Sequence, residues 1–317
     1  VDDIPALRGQ EAFLLSPDKE LAELLTGLWP VEHMRFTVFE RGRRAIEHLF
    51  NDPPDLLVVD ERLPDIGGPE VASLVKSENV YRQLPVVLVM DREGLDLPRD
   101  WEQVEVDDFL VRPLDPKETR ARVNLTMLRA MRALDANPLS KLPGNTSILQ
   151  RIQQCVDSGE DFALAYCDLD YFKSFNDKYG FSRGDEVLMM TARVIVNTIR
   201  TFGGVRSFVG HVGGDDFVFI MPPDLVEEAC RRVVQSFDSI VPHFYDADDR
   251  ARGSIVSVDR QGVTRTFPIM AVSIAVVFST GKRRLSHAGE AASIAMGLKK
   301  KAKENPKSCY VLDQRER

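Results

Sequence analysis

The chain has 317 residues, which at roughly 150 residues per domain points to two domains rather than one large core. Hydrophobic residues make up 44% and charged residues 28%, globular values that exclude a disordered or fibrous chain. Subtracting 49 acidic from 41 basic side chains gives a net charge of -8, which argues against a nucleic-acid coat or a polybasic anchor but leaves room for a local basic pocket around a phosphorylated ligand.

The first stretch, Val1 to Gln10, lacks the basic start and apolar core of a signal peptide, and no later stretch reaches the length of a membrane span. Cys155, Cys167, Cys230 and Cys309 are too scattered for a zinc knuckle and too few for a disulfide scaffold. A reducing cytoplasm is therefore the expected location, without membrane insertion and without nucleic acid as partner.

In chain order, strands are expected at Ala12 to Leu15, Arg35 to Phe39, Leu56 to Asp60, Pro85 to Met90 and Asp108 to Val111. Amphipathic helices such as Lys19 to Leu28 and Gly42 to Phe50 lie between them. This alternation predicts a doubly wound parallel sheet over residues 1–115, with a site at the carboxyl ends of its strands. Residues 116–135 read as a helix, with apolar positions Val123, Met127, Leu128, Met131 and Leu134 spaced by three and four. That stripe suits either packing on the sheet or a dimer seam. Asn137 to Asn145, with two prolines and a glycine, ends it and opens a second domain over 136–317.

The second half predicts an α+β domain with strands at Phe162 to Asp168, Phe208 to Val212, Phe217 to Met221 and Met270 to Phe278. The run Lys299 to Lys303 reads as a short charged, solvated helix face.

The chemistry concentrates where Phe162 to Asp168 delivers a carboxylate at its exit, and at the hairpin around Gly213-Gly214-Asp215-Asp216. Two glycines free the backbone for positive φ and for close approach by a bulky anion. Two adjacent carboxylates repel unless a cation lies between them and that ligand. With Asp168 they make three hard oxygen donors, suited to Mg²⁺ holding a triphosphate. By itself the hairpin reads equally well as a surface type I′ turn.

The pattern Asp168-Leu169-Asp170-x-Phe172-Lys173-x-x-Asn176-Asp177-x-x-Gly180-x-x-x-Gly184-Asp185, followed by Gly213-Gly214-Asp215-Asp216-Phe217, resembles the GGDEF domain of diguanylate cyclases. Asn137-Pro138-Leu139-Ser140-x-Leu142-Pro143 is similar to that family's opening motif, and the resemblance covers roughly residues 136 to 313. It implies condensation of two GTP into cyclic di-GMP in a homodimer. The metal would be Mg²⁺, with Mn²⁺ as a substitute, two ions per site, held by Asp168, the Leu169 carbonyl and Asp215, with Asp216 beside them. Asp215 is implied as the acid-base group, and Asp216 is placed with it in the catalytic turn. Phe172, Gly213 and Gly214 are implied as substrate contacts, Asn176 and Asp185 as readers of guanine, and Lys173, Lys303 and Lys307 as phosphate partners.

Four departures stand out. Phe181 replaces His, Lys141 and Ala275 replace Gly, and Gly204-Val205-Arg206-Ser207 stands where the family's inhibitory Arg-x-x-Asp would fall, so no product-inhibition site is expected.

In the first domain, Leu56 to Asp60 followed by Leu63-Pro64 and Gly67-Gly68, together with Asp108 to Pro113, is similar to response-regulator receiver domains, over about residues 11 to 130. The resemblance implies Asp60 as candidate phosphoacceptor and an upstream kinase or signalling protein as partner. Yet Ser16-Pro17 replaces the acidic pair, Met90 the hydroxyl residue and Arg112 the lysine. A degenerate receiver is expected, because methionine cannot donate to a phosphoryl oxygen. The rival to a regulated cyclase is a catalytically silent scaffold that binds nucleotide or a protein partner.

Overall fold

The computed structural model describes residues 7–95, 100–258, 264–281 and 283–314. It divides into two compact units, Val1–Leu134 and Asp135–Arg317.

The first unit alternates strand and helix through β1 (Gln10–Leu15), α1 (Lys19–Gly27), β2 (Met34–Phe39), α2 (Gly42–Leu49), β3 (Leu56–Asp60), α3 (Gly68–Ser77) and β4 (Val86–Met90). The short α4 (Arg92–Leu95) and α5 (Trp101–Val104), then β5 (Asp108–Val111) and α6 (Pro116–Asp135), complete it. The strands are all parallel, in the order β2-β1-β3-β4-β5. Every residue of β3 and β4 is buried, because helices cover both faces of a parallel sheet and select continuous apolar runs. Asp18 starts α1 by accepting the backbone N–H groups of Glu20 and Leu21. Val123 and Met127 bury one side of α6 in the core with Leu14, Val58 and Val89, while Leu134 at its far end is exposed. The order of the strands reverses at β1 and β3, so their carboxyl ends frame a crevice.

The second unit runs α7 (Asn145–Ser158), β6 (Phe162–Asp170), α8 (Phe172–Tyr179), α9 (Phe181–Gly203), β7 (Phe208–Gly213), β8 (Asp216–Met221) and α10 (Val226–Ile240). It continues with α11 (Ala247–Arg252), β9 (Ser254–Val258), β10 (Thr264–Pro268), β11 (Ala271–Ser279), α12 (Ala288–Ala302) and β12 (Cys309–Leu312). The main sheet has the order β12-β11-β6-β8-β7, antiparallel except for β11 against β12. Phe175, Phe217, Phe219 and Phe237 are fully buried in its core.

Two features differ from the sequence expectation. The β9–β10 hairpin and β12 are additional strands. Strand β6 also extends two residues further, so Asp168 lies inside the strand rather than at its exit. The stop was misplaced because Asp168 and Asp170 are carboxylates on a buried sheet, which the apolar pattern does not anticipate.

The entry to the second unit is held by side chains. Asp135 accepts the backbone N–H groups of Gly144, Thr146 and Ser147, anchoring the start of α7. Asn137 accepts those of Leu139 and Ser140 at 3.0 Å. In this turn Lys141 has φ +59°, the left-handed conformation that glycine adopts without strain. Lys141→Gly is expected to stabilise the second unit by about 0.5–1 kcal/mol, the left-handed penalty of about 1–2 less the extra entropy of an unfolded glycine. Thermal unfolding checks this; a lower melting temperature would contradict it.

Candidate active site

Strands β6 and β8 place Asp168 and Asp216 directly opposite each other, and the turn between β7 and β8 adds Asp215. Carboxylate oxygens from the three residues all lie within 4.8 Å of one another. Like charges at directly opposed sheet positions are destabilising, so this arrangement demands a cation. In the turn, Gly213 has φ +148° and Gly214 φ +57°, whereas Asp215 has no positive φ. Positive φ at the first central residue alone is the pattern of a type II′ turn, which takes glycine there, rather than the type I′ turn considered from sequence. The β6–β8 ladder ends at the Asp168–Asp216 pair, one residue short of Leu169. The side chain of Leu169 is buried on the other face, leaving its backbone beside the cluster.

Lys299 of α12 and Lys303, which caps the end of that helix, supply positive charge. Lys299 Nζ lies 2.5 Å from Asp168 Oδ2 and also contacts Asp216, and Lys303 Nζ lies 2.6 Å from Asp168 Oδ1. The reading of this lysine run as a solvated face is thereby corrected. Ala291, Ala295 and Ala302 lie on the buried side of α12, and Lys299 follows Ala295 by one turn on that side, whereas Lys300 is exposed. Burial pushes the Asp168 carboxyl up, but its bonds to Lys299 and Lys303 outweigh this and hold it below the ordinary range. Burial, reinforced by the Asp168 charge, raises the Asp215 carboxyl, and burial also raises that of Asp216. Asp170, on the same side of β6, accepts a hydrogen bond from Ser273 and is raised chiefly by burial.

His211 was not singled out from sequence. It is 2% exposed on β7, stacks on Phe217 with ring centroids 4.1 Å apart, and contacts the Gly214 carbonyl through Nε2 at 3.0 Å. A carbonyl only accepts, so Nε2 carries the proton, and Nδ1 accepts from Ser140 Oγ at 2.9 Å. Burial lowers the imidazole pKa, which keeps this neutral tautomer. The histidine thus ties the glycine turn to the opening motif of the unit. A histidine alternating with apolar strand residues was the available signal.

The other candidates form a second group. Asn176, on α8, has a buried Oδ1 without a hydrogen-bond partner. Gly184 makes room for it, since a Cβ there would stand 1.9 Å from that oxygen. Asp185, the next residue, is exposed on α9. Phe172 is buried in the core, so its side chain packs while its backbone opens α8. That helix is entered through Tyr171 at φ +66°, a strained conformation for an aromatic residue. Lys173 and Lys307 are exposed, and neither is drawn into the acidic cluster. Phe181 is 77% exposed at the start of α9.

In the first unit, Asp60 is 3% exposed at the end of β3. Arg112 grips it with a fork, 2.6 Å to Oδ2 and 3.3 Å to Oδ1. Ser16 donates to Oδ2 at 2.6 Å, and the Arg62 N–H to Oδ1 at 3.2 Å. Asp18 and Asp91 flank the same guanidinium at 3.5 and 3.8 Å. Both oxygens of the candidate phosphoacceptor are therefore engaged. Met90 is fully buried.

Comparison with known proteins agrees with both halves. The family model described as diguanylate cyclase, GGDEF domain, matches residues 138–306, and that of the response regulator receiver domain matches residues 16–124. Over 241 residues the chain is 25% identical to the response regulator PleD of Caulobacter vibrioides, covering 70% of this chain and 52% of PleD. It thus spans about half the length of that relative. It is 33% identical over 95 residues to the diguanylate cyclase DgcP of Pseudomonas aeruginosa, covering 29% of this chain and 14% of DgcP. Among solved structures, diguanylate cyclase SiaD of Pseudomonas aeruginosa, in complex with its activator SiaC, is similar at 22% identity and a TM-score of 0.39, covering 62% of this chain and 72% of SiaD. Among the described residues, no helix is long and apolar enough to cross a membrane.

Proposed function

The chain belongs to the GGDEF diguanylate cyclase domain family, with a response regulator receiver domain preceding that domain, and we propose that it joins two GTP molecules into cyclic di-GMP with release of two pyrophosphates. The observation that carries this reading is the gathering of Asp168, Asp215 and Asp216 within 4.8 Å at a glycine turn.

The donor set is all oxygen, which fits Mg²⁺, or Mn²⁺ in its place, with Asp168, Asp215, Asp216 and the Leu169 carbonyl as the holding groups. Two such ions, when bound, would supply charge neutralisation on the triphosphate. Asp215, whose carboxyl burial raises above its ordinary value, accepts the proton of the ribose 3′-hydroxyl. The freed oxygen bonds to the α-phosphorus of the facing nucleotide, whose bond to the β-phosphate oxygen breaks, and pyrophosphate leaves with that electron pair. Repeating the step in the opposite sense closes the ring. Each domain holds one GTP, so the working species is a homodimer. Lys303, Lys173 and Lys307 balance phosphate charge. Asn176 brings a buried, unsatisfied acceptor to the base, and Asp185 a second one, which suits the N–H donors of guanine and leaves adenine poorly matched.

A second reading, a silent nucleotide-binding scaffold, is favoured by the seat of Lys299 inside the acidic cluster. Incubating the purified chain with GTP and Mg²⁺, or with GTP plus ATP, and identifying products by mass separates the two. Cyclic di-GMP and pyrophosphate in a ratio of one to two, absent with Asp215→Ala, are expected. A folded dimer that makes no cyclic product from either mixture would sink the enzyme reading.

A further inference from the structure

We propose that Lys299 is an internal counter-cation that occupies the metal position of the acidic cluster and must swing out before a divalent ion can enter. This rests on the reading of Asp168, Asp215 and Asp216 as the metal site.

The placement is built rather than incidental. Asp168 and Asp216 stand opposite each other on paired strands, the Asp168 side chain 5% and the Asp216 side chain 38% exposed, so without a cation a buried carboxylate would face a second, partly solvated one at close range. Lys299 reaches both of them from the buried side of α12, in register with Ala291 and Ala295. Its stem is largely covered, the side chain being 24% exposed. The small alanines let α12 lie close to the sheet, which puts the ammonium at the carboxylates. Lys303 meets the opposite oxygen of Asp168 from a more open position, at 44% exposure, with its nitrogen 3.9 Å from Asp170. An ammonium and a divalent ion cannot share the oxygens of Asp168 and Asp216, so the two compete.

The consequence is an order of events. The metal-free chain keeps its cluster neutralised and shaped, and a free divalent ion binds weakly because it must break the Lys299 pairs. An ion arriving with a triphosphate brings anionic oxygens, which offer the displaced ammonium a new partner.

The test is a Mn²⁺ titration of the full chain by electron paramagnetic resonance, without nucleotide and at fixed ionic strength. Wild type is compared with Lys299→Met, which keeps the stem, and with Lys300→Met, which removes the same charge from the exposed side. Circular dichroism verifies folding, and Lys299→Gln serves as a polar second variant. Lys299→Met and Lys299→Gln are expected to tighten Mn²⁺ binding by about tenfold to a thousandfold, the effect of removing a cation in direct contact with the ligands. Lys300→Met should stay within about threefold of wild type, since exposed charges are screened. Unchanged affinity in the Lys299 variants, or an equal gain in Lys300→Met, would overturn the proposal while leaving the metal site standing. If no variant binds Mn²⁺ and Asp168→Ala behaves identically, the metal-site reading falls and the proposal with it.

Discussion

Asp215→Asn is expected to lower cyclic di-GMP formation by about 10²–10⁴-fold, the usual contribution of a positioned acid-base group, while leaving the fold intact. The two effects separate because Asp215 sits at the tip of a turn and contributes one of three mutually repelling carboxylates. Removing its charge lessens repulsion with Asp168 and Asp216, so thermal stability should hold within about 0.5 kcal/mol or rise. Initial rates with GTP and Mg²⁺, set beside a melting curve, test both halves. Activity within a factor of about ten of wild type would mean that Asp215 moves no proton, and a large loss of stability would mean that it is a structural group.

Arg112→Ala should destabilise the first unit by about 3 kcal/mol, the lower end of the range for breaking a buried ion pair, since the arginine is itself partly exposed. The cause is Asp60, 3% exposed and gripped at both oxygens by the guanidinium; without it the carboxylate keeps only Ser16 and one backbone N–H. Both tryptophans, Trp29 and Trp101, belong to this unit, so denaturant unfolding followed by tryptophan fluorescence reports on it alone. Adding Asp60→Asn should restore part of the loss, because it removes the stranded charge. A loss under about 1 kcal/mol, unaffected by the second substitution, would show that the pair is solvated and dispensable. Around Asp60 the ends of the parallel strands thus hold a fixed cation, Arg112, with Asp18 and Asp91 beside it.

The two units share this device. In each, a basic side chain from a later element sits among carboxylates at the end of central strands, Arg112 beside Asp60, Asp18 and Asp91, and Lys299 beside Asp168 and Asp216. The sequence already set Arg112 at the lysine position of the Asp60 site, but the second half of the likeness was hidden, because Asp216 and Lys299 are 83 positions apart. The parallel sheet was legible because the continuous apolar runs of β3 and β4 have few other solutions. The acidic turn was legible because glycines and carboxylates cluster locally. Of the strands that escaped notice, β10 and β12 carry no fully buried residue and the described part of β9 only Ile255, so none shows the alternation that marks a half-buried strand. Lys299 escaped because three neighbouring lysines suggest a solvated face, and only the alanine register of α12 distinguishes one of them. His211 escaped because its work is done by two ring nitrogens toward Ser140 and Gly214, contacts that sequence spacing does not reveal.

Asp168, Asp215 and Asp216 are expected to hold together the metal at which GTP reacts. The most direct measurement counts Mn²⁺ bound per chain by electron paramagnetic resonance in the presence of a non-hydrolysable GTP analogue, for wild type and for Asp168→Ala. Two ions per chain are expected in wild type, with clear loss when the buried β6 carboxylate is removed. Equal Mn²⁺ binding by the two proteins, at the level that the free nucleotide takes by itself, would contradict this expectation.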